Sequence, residues 1–280
     1  MPTVHEIIVS SSEVIEKTIT DADADVVIHA KEDSHATVSV VFDPKSACAV
    51  SLHIIVDANA RLTVLCMSTY AKASVDRQVA KSKKIAIKQT SKISDGGHLQ
   101  LQNITLGSDV EQSIESNLKG ANAKSDIDWI FYAHKKDHHA LSARNVFEGR
   151  EGGGEITMKG VAEGKAHVRC AGLIDIGAGG TGTDTYLTED VLMLDETAKV
   201  DAVPSLEIKT NDVQASHSAT VSKVTPEDLF YFASRGINQS NARQMYVQGF
   251  LSDLTKKIEN SKIQKYVVDA LEEKYVMRDA

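Results

Sequence analysis

His217 is the side chain in this sequence best placed to do chemistry. It lies in Val213-Gln-Ala-Ser-His-Ser-Ala-Thr-Val221. Strand alternation puts Val213, Ala215, His217, Ala219 and Val221 on one face, and Gln214, Ser216, Ser218 and Thr220 on the other. A neutral imidazole is a competent transition-metal ligand. A lone histidine on an apolar face also serves as a hydrogen-bonded core or interface residue. The three cysteines, Cys48, Cys66 and Cys170, make no CxxC pair, so zinc-ribbon and ferredoxin spacings are absent. Each sits in an apolar strand-like run, the setting of a reduced core thiol.

Other constellations are weaker. His134, His138 and His139, with Asp137, would offer a zinc face only on a helix, whereas the segment reads as a strand and a polar turn. Asp126 and Asp128 share a strand face, at a spacing a glycosidase or lyase could use. The lone Trp129 and the scarcity of other aromatics argue against a sugar-binding groove. The glycine runs 152–154 and 177–183 lack the following Lys and the strand–loop–helix setting of a P-loop, so no ATP hydrolysis is expected of this chain. Glu207, between Leu206 and Ile208, faces away from both. It reads as a solvated outer-face charge or as a polar contributor to an interface near His217.

These residues are carried by short strands. Val26-Val-Ile-His-Ala, Ala36-Thr-Val-Ser-Val-Val-Phe, His98-Leu-Gln-Leu-Gln-Asn-Ile and His167-Val-Arg-Cys-Ala-Gly-Leu-Ile belong to a series from about residue 24 to residue 224. Asp57-Ala-Asn-Ala, Asp95-Gly-Gly, Gly120-Ala-Asn-Ala and Gly152-Gly-Gly punctuate them with residues that tolerate positive φ. The spacing fits a sandwich, a barrel or a β-solenoid. From Thr225 the pattern becomes helical. Thr225 is a suitable N-cap, with Pro226, Glu227 and Asp228 in the first turn. A second helix starts near Ser240, and a third carries Ile263, Tyr266, Val267, Ala270 and Leu271. The expected division is a β core over 1–224 and a small helical domain over 225–280, with the helices covering an end of the β stack.

Composition narrows the class of function. The 280 residues can hold one large domain or a domain plus an appendage. With 39 Asp and Glu against 31 Lys and Arg, no broad cationic face for nucleic acid is expected. No apolar run approaches the roughly 20 residues of a membrane span. The opening Met1-Pro-Thr-Val-His-Glu-Ile lacks the layout of a signal peptide, so a cytoplasmic location is expected. Aromatics are 5% of residues, which suits thin stacked layers of small aliphatic side chains.

The stretch 204–250 resembles the SufB/SufD family of iron–sulfur cluster assembly proteins. The matching residues are Pro204 with Leu206-Glu207-Ile208, Asp212-Val213, Ser216-His217 and Ala219-Thr220-Val221. Leu229-Phe230-Tyr231, Ser234-Arg235-Gly236-Ile237 and Gly249-Phe250 follow in order. The resemblance implies a right-handed parallel β-helix followed by a C-terminal helical domain, in a short member without the family's N-terminal helical region. It implies that His217 lies where two β-helices meet and takes part in building a nascent cluster.

The cysteine of the SufB branch has no counterpart in Thr188–Asp195, and the S-H-S-A-T form also points to the SufD branch. The resemblance therefore implies a SufD-like scaffold, non-catalytic alone, that handles iron or an Fe–S cluster transiently. Its partners would be a SufC-type ABC ATPase and a SufB-type chain or a second copy of itself. Implied cluster and interface residues are His217 and Glu207; Cys170 matches no ligand position of the family and is a candidate thiol only as a substitute for the missing cysteine. Val213, Ala215, Ala219 and Val221 would form the dimer patch. Leu229, Phe230, Tyr231, Arg235, Met245 and Phe250 would dock the ATPase. Two other readings are an interaction-only β-solenoid that recruits an ATPase without touching iron, and a β-helix carbohydrate lyase or hydrolase.

Overall fold

The computed structural model describes residues 2–21, 23–42, 48–68, 84–106 and 109–276. The strands come in pairs along the chain. They begin with β1 (Thr3–Val9), β2 (Glu13–Ile19), β3 (Asp23–Ala30), β4 (His35–Phe42), β5 (Cys48–Val56) and β6 (Arg61–Ser68). Next are β7 (Lys84–Ile93), β8 (His98–Thr105), β9 (Asp109–Leu118), β10 (Lys124–Ala133), β11 (His138–Phe147) and β12 (Gly153–Ala162). The series closes with β13 (His167–Ile176), β14 (Asp184–Met193), β15 (Lys199–Ala202), β16 (Ser205–Ile208) and β17 (Gln214–Lys223). Helices α1 (Pro226–Ala233), α2 (Gln239–Lys256) and α3 (Ser261–Val276) follow. Regular strands thus start at Thr3, ahead of the position near 24 that alternation alone suggests. The side chains of Cys48 and Ile263 lie outside the described residues.

Two sheets face each other. One runs β1-β3-β5-β7-β9-β11-β13-β15, with β16 also on β13; the other runs β17-β14-β12-β10-β8-β6-β4-β2. Every pairing is parallel. Successive strands alternate between sheets, so the chain is a parallel β-solenoid, the solenoid alternative left open by strand spacing. Each coil buries a thin layer against its neighbours. Val38, Val64, Leu101, Ile127, Ile156 and Leu187 form one such inward row by register.

One corner of the solenoid explains the turn motifs. Asp33, Asn59, Gly96, Asn122, Glu151 and Gly182 all have positive φ. Each donates its backbone N–H to the next coil: Asn59 to Asp95 O at 2.9 Å, Gly96 to Ala121 O at 2.8 Å, Asn122 to Arg150 O at 2.9 Å. The left-handed residue is needed in every coil because it turns the N–H along the solenoid axis. Asn, Asp and Gly adopt it at least cost.

The helices lie along the side of the solenoid, not over its end. Their apolar faces meet the outer face of the second sheet. Leu65, Met67, Ile104, Leu106, Ile130, Tyr132, Val161, Leu192 and Leu194 share a core with Val247, Leu251, Leu254, Ile258, Val267, Ala270 and Leu271. Polar ties fix α2 across successive strands. Arg243 Nη1 lies 3.1 Å from Asp195, just past β14. Lys159 of β12 bonds Asp253 at 2.8 Å and sits over the Phe250 ring. Lys257 bonds Asp128 of β10 at 2.8 Å, and Gln102 of β8 donates to the Lys257 carbonyl at 3.0 Å. The physical reason for this placement is the apolar outer ends of β6, β8, β10, β12 and β14, which need cover.

Candidate functional site

His217 sits on the last coil, in β17. Its register partner is Leu187, fully buried on β14, and Ala215, Ala219 and Val221 stand over Thr185, Glu189 and Val191. The face predicted from alternation is therefore the inward face. No further coil covers it, so His217 is exposed and among the described residues no side chain pairs with it. Across the interior, Val200, Ala202, Leu206 and Ile208 occupy the matching inward positions of β15 and β16. Ile208 and Val221 remain 43% and 45% exposed. This end of the solenoid is an open apolar rim with one imidazole in it.

The first coil is built differently. Register with buried residues of β3 and β4 puts Thr3 and His5 of β1, and Glu13 and Lys17 of β2, at inward positions. His5 is tied to Asp21 at 2.9 Å. Inward-pointing polar and charged residues discourage further strand addition. The two ends differ in kind: the first coil mixes these polar residues with Ile7, Val9, Ile15 and Ile19, whereas the inward row of the last coil is apolar apart from His217.

One coil beneath His217 is a group that motif reasoning missed. Glu189 points inward from β14 with no exposed surface. Its Oε1 accepts a 2.5 Å hydrogen bond from the Gly172 backbone N–H on β13. Its Oε2 is buried without a partner. Burial pushes its carboxyl up to about 7, against the opposing pull of the Gly172 and Val203 N–H groups. Gly172 is required for this reach: a Cβ there would come within 2.4 Å of Leu187 and 3.0 Å of Glu189 Oε1. Alternation in Leu187-Thr-Glu-Asp-Val191 was a usable signal, since it places Glu189 between two inward aliphatics.

Cys170 lies on the inward face of β13, fully buried. Burial raises its thiol above the ordinary value, and the nearby Glu189 carboxylate adds to the rise. The thiol of Cys66 is likewise pushed up, to about 12, by burial, with a hydrogen bond to Gln89 opposing. Neither is a ready thiolate. Glu207 projects from the outer face of the first sheet, in register with Asp175, so it does not share the face of His217. Val213 and Ala215 are half-buried against the core, while Ala219 and Val221 are exposed.

Thr225 caps α1 through a capping box with Asp228. Neither β17 nor α1 contains a buried residue. A groove of about 650 Å³ lies between α1, α2 and the second sheet, lined in part by Leu192, Tyr231, Phe232, Met245, Tyr246 and Phe250. Phe230, Tyr231 and Met245 are 74%, 56% and 49% exposed. Arg235 stacks over Tyr231, and Leu229 is half-buried.

The remaining candidates separate. His134 and Asp137 lie in the turn before β11, His138 points outward and His139 is buried. Asp126 is held by His98 at 2.7 Å and Asp128 by Lys257 at 2.8 Å, so each carboxylate already has a side-chain partner. Trp129 is buried and donates to Thr105 Oγ1 at 3.0 Å, so it is not part of a sugar platform. Among the described residues no group of three His, Cys, Asp or Glu side chains forms a ready metal cluster, and no helix is long and apolar enough to cross a membrane.

Comparison with known proteins gives a consistent result. The family model for the SUF system FeS cluster assembly, SufBD core domain, matches residues 13–250. The chain is 26% identical over 244 residues to an iron-sulfur cluster assembly SufBD family protein of Mycobacterium leprae, covering 87% of this chain and 27% of that protein. It is 28% identical over 235 residues to a SufBD family protein of Mycobacterium tuberculosis, covering 80% and 56%. Against iron-sulfur cluster assembly protein SufD of Escherichia coli it is 36% identical over 110 residues, 39% of this chain and 26% of SufD. The chain thus spans between about a quarter and about half of these relatives' lengths. Since the core-domain match runs through both sheets and into α2, the chain belongs to the SufBD family of the SUF iron–sulfur cluster assembly system.

Proposed function

We propose that this chain is a SufD-like scaffold of iron–sulfur cluster assembly, acting in the cytoplasm and without catalytic activity of its own. The open apolar rim of the last coil, with His217 in it, is the observation that carries the reading. It pairs with the same end of a SufB-type chain or of a second copy, which covers Val213, Ala215, Ala219 and Val221. A two-fold arrangement brings His217 against the partner's last coil. There its imidazole can hold iron of a nascent cluster, with thiolate ligands supplied from outside this chain.

A SufC-type ATPase docks in the groove of α1 and α2, through Tyr231, Met245 and Phe250, with Leu229, Phe230 and Arg235 at its margin. The connection to the site is short. Helix α1 starts three residues after β17 ends, whereas α2 is tied to the solenoid by Arg243, Asp253 and Lys257. Displacement of α1 by a moving ATPase would therefore act on the strand that carries His217. Cluster and iron are cargo in this scheme.

Anaerobic assembly with iron, sulfide and both partners tests the reading. His217→Ala should lower cluster absorbance while leaving the melting temperature unchanged, because no core hydrogen bond is lost. Normal assembly together with a lowered melting temperature would count against it. The burial of Cys66 and Cys170 favours a second reading, in which the chain recruits the ATPase and never contacts iron. That reading predicts normal cluster yield with His217→Ala.

A further inference from the structure

The histidines of the 134–139 segment do not converge with one another, but one of them meets a histidine from the next coil. His138 opens β11 and His167 opens β13, and the two are register partners on adjacent parallel strands. Their side chains are 68% and 45% exposed. The ring centroids are 6.2 Å apart, with the planes at 67°. A carboxylate stands against each ring. His138 Nδ1 is 3.4 Å from Asp109 Oδ1, and His167 Nε2 is 3.1 Å from Asp201 Oδ2. Among the described residues no carboxylate stands against Nε2 of His138 or Nδ1 of His167.

We infer that His138 and His167 form a surface site for one borderline divalent transition-metal ion, such as Zn²⁺ or Cu²⁺, with Asp109 and Asp201 orienting the rings. A metal–nitrogen bond of about 2.0–2.1 Å, plus roughly 1.1 Å from ring nitrogen to ring centre, lets two imidazoles share an ion at centroid separations up to about 6.4 Å. At the tetrahedral angle the separation is about 5.2 Å, so the observed 6.2 Å must close by about 1 Å, which rotation of two exposed side chains on adjacent strands supplies with the ladder intact. A carboxylate on the non-ligating nitrogen is the usual support for a metal-bound histidine, fixing its tautomer and raising its basicity. Water completes the coordination, since among the described residues no third protein ligand is in place. The adjacent Lys84 has its charge balanced by Glu111 at 2.5 Å. The pair lies on the first sheet and His217 on the second, so the site stands independently of the cluster-assembly reading.

Titration calorimetry with Zn²⁺ and electron paramagnetic resonance with Cu²⁺, on the full chain, test this. The wild type should take up one ion per chain saturably, with couplings from two imidazole nitrogens in the Cu²⁺ spectrum. His138→Ala and His167→Ala should each remove the saturable binding and leave the melting temperature unchanged, both rings being exposed. Asp201→Asn should weaken binding about tenfold or more, since Asp201 is hydrogen-bonded to His167, and His53→Ala should not alter it. Absence of saturable binding in the wild type overturns the inference. So does equal binding by the His138→Ala/His167→Ala double variant, or a Cu²⁺ spectrum with a single coupled nitrogen.

Discussion

The Glu189 carboxylate on β14 and the Gly172 backbone N–H on β13 meet across the solenoid interior at 2.5 Å. That contact joins the two sheets directly beneath the last coil and places a carboxyl group in a layer it shares with Leu187, Val191 and the Cys170 thiol. Its folded-state value of about 7 lies above the ordinary 4.5. Between those values the folded protein keeps a proton that the unfolded chain has lost, so stability falls as pH rises from about 4.5 to about 7. Glu189→Gln should remove this slope and stabilise the protein at pH 8, by up to about 3 kcal/mol. Melting curves from pH 5 to pH 8 check it; parallel profiles for variant and wild type would refute it.

Gly172 should resist substitution. A Cβ there would press on Leu187 at 2.4 Å and crowd Glu189 Oε1 at 3.0 Å. Gly172→Ala is expected to cost about 1–3 kcal/mol, in the range of core overpacking. Gly249 has nothing within 4 Å of an added Cβ, so Gly249→Ala is the matched control and should be neutral or stabilising. Chemical denaturation of both variants makes the comparison.

The helical layer predicts a particular outcome for truncation. Removing residues 226–280 uncovers Leu65, Met67, Ile104, Ile130, Val161 and Leu192 on one continuous face. The truncated chain should aggregate. Point changes in the groove are the cleaner probe of docking. Tyr231→Ala and Met245→Asp should weaken capture of a SufC-type ATPase by tenfold or more, on the order of 1.4 kcal/mol each, with unchanged circular dichroism. Undiminished capture by the double variant would remove the groove from the interface.

The tie at the end of α2 offers a stability test. Asp128 is nearly buried, and Lys257 is its cation at 2.8 Å. Lys257→Ala leaves that buried carboxylate without its cation. Lys257 is itself about half exposed, so the cost should be modest, about 1 kcal/mol. Hydrogen exchange should accelerate in α2 and α3 more than in the inner strands.

Much of this arrangement was legible in the sequence, for reasons that can be named. The alternation of β17 fixed the face of His217 because side chains along a strand repeat every two residues. Thr225, Pro226 and Asp228 marked the helix start because capping chemistry is local. The position of the helices was not legible, because the outer ends of β6, β8 and β10 look like ordinary strand hydrophobics until α2 is laid on them. Alternation alone places Glu189 inward, but only Gly172, in another strand, leaves room for a carboxyl there. His138 and His167 are separated by a full coil, so their approach follows only from strand register.

The central claim is that the last coil is an interface built around His217. Multi-angle light scattering of the wild type and of Ala219→Asp, each alone and mixed with a SufB-type partner, tests it most directly. Ala219 is exposed on the open rim, one inward position from His217, so a carboxylate there should split the dimer; because it also stands over Glu189, circular dichroism confirms that the variant stays folded. The account predicts a dimeric or partner-bound wild type and a monomeric variant. A wild type that stays monomeric both alone and with the partner would contradict it.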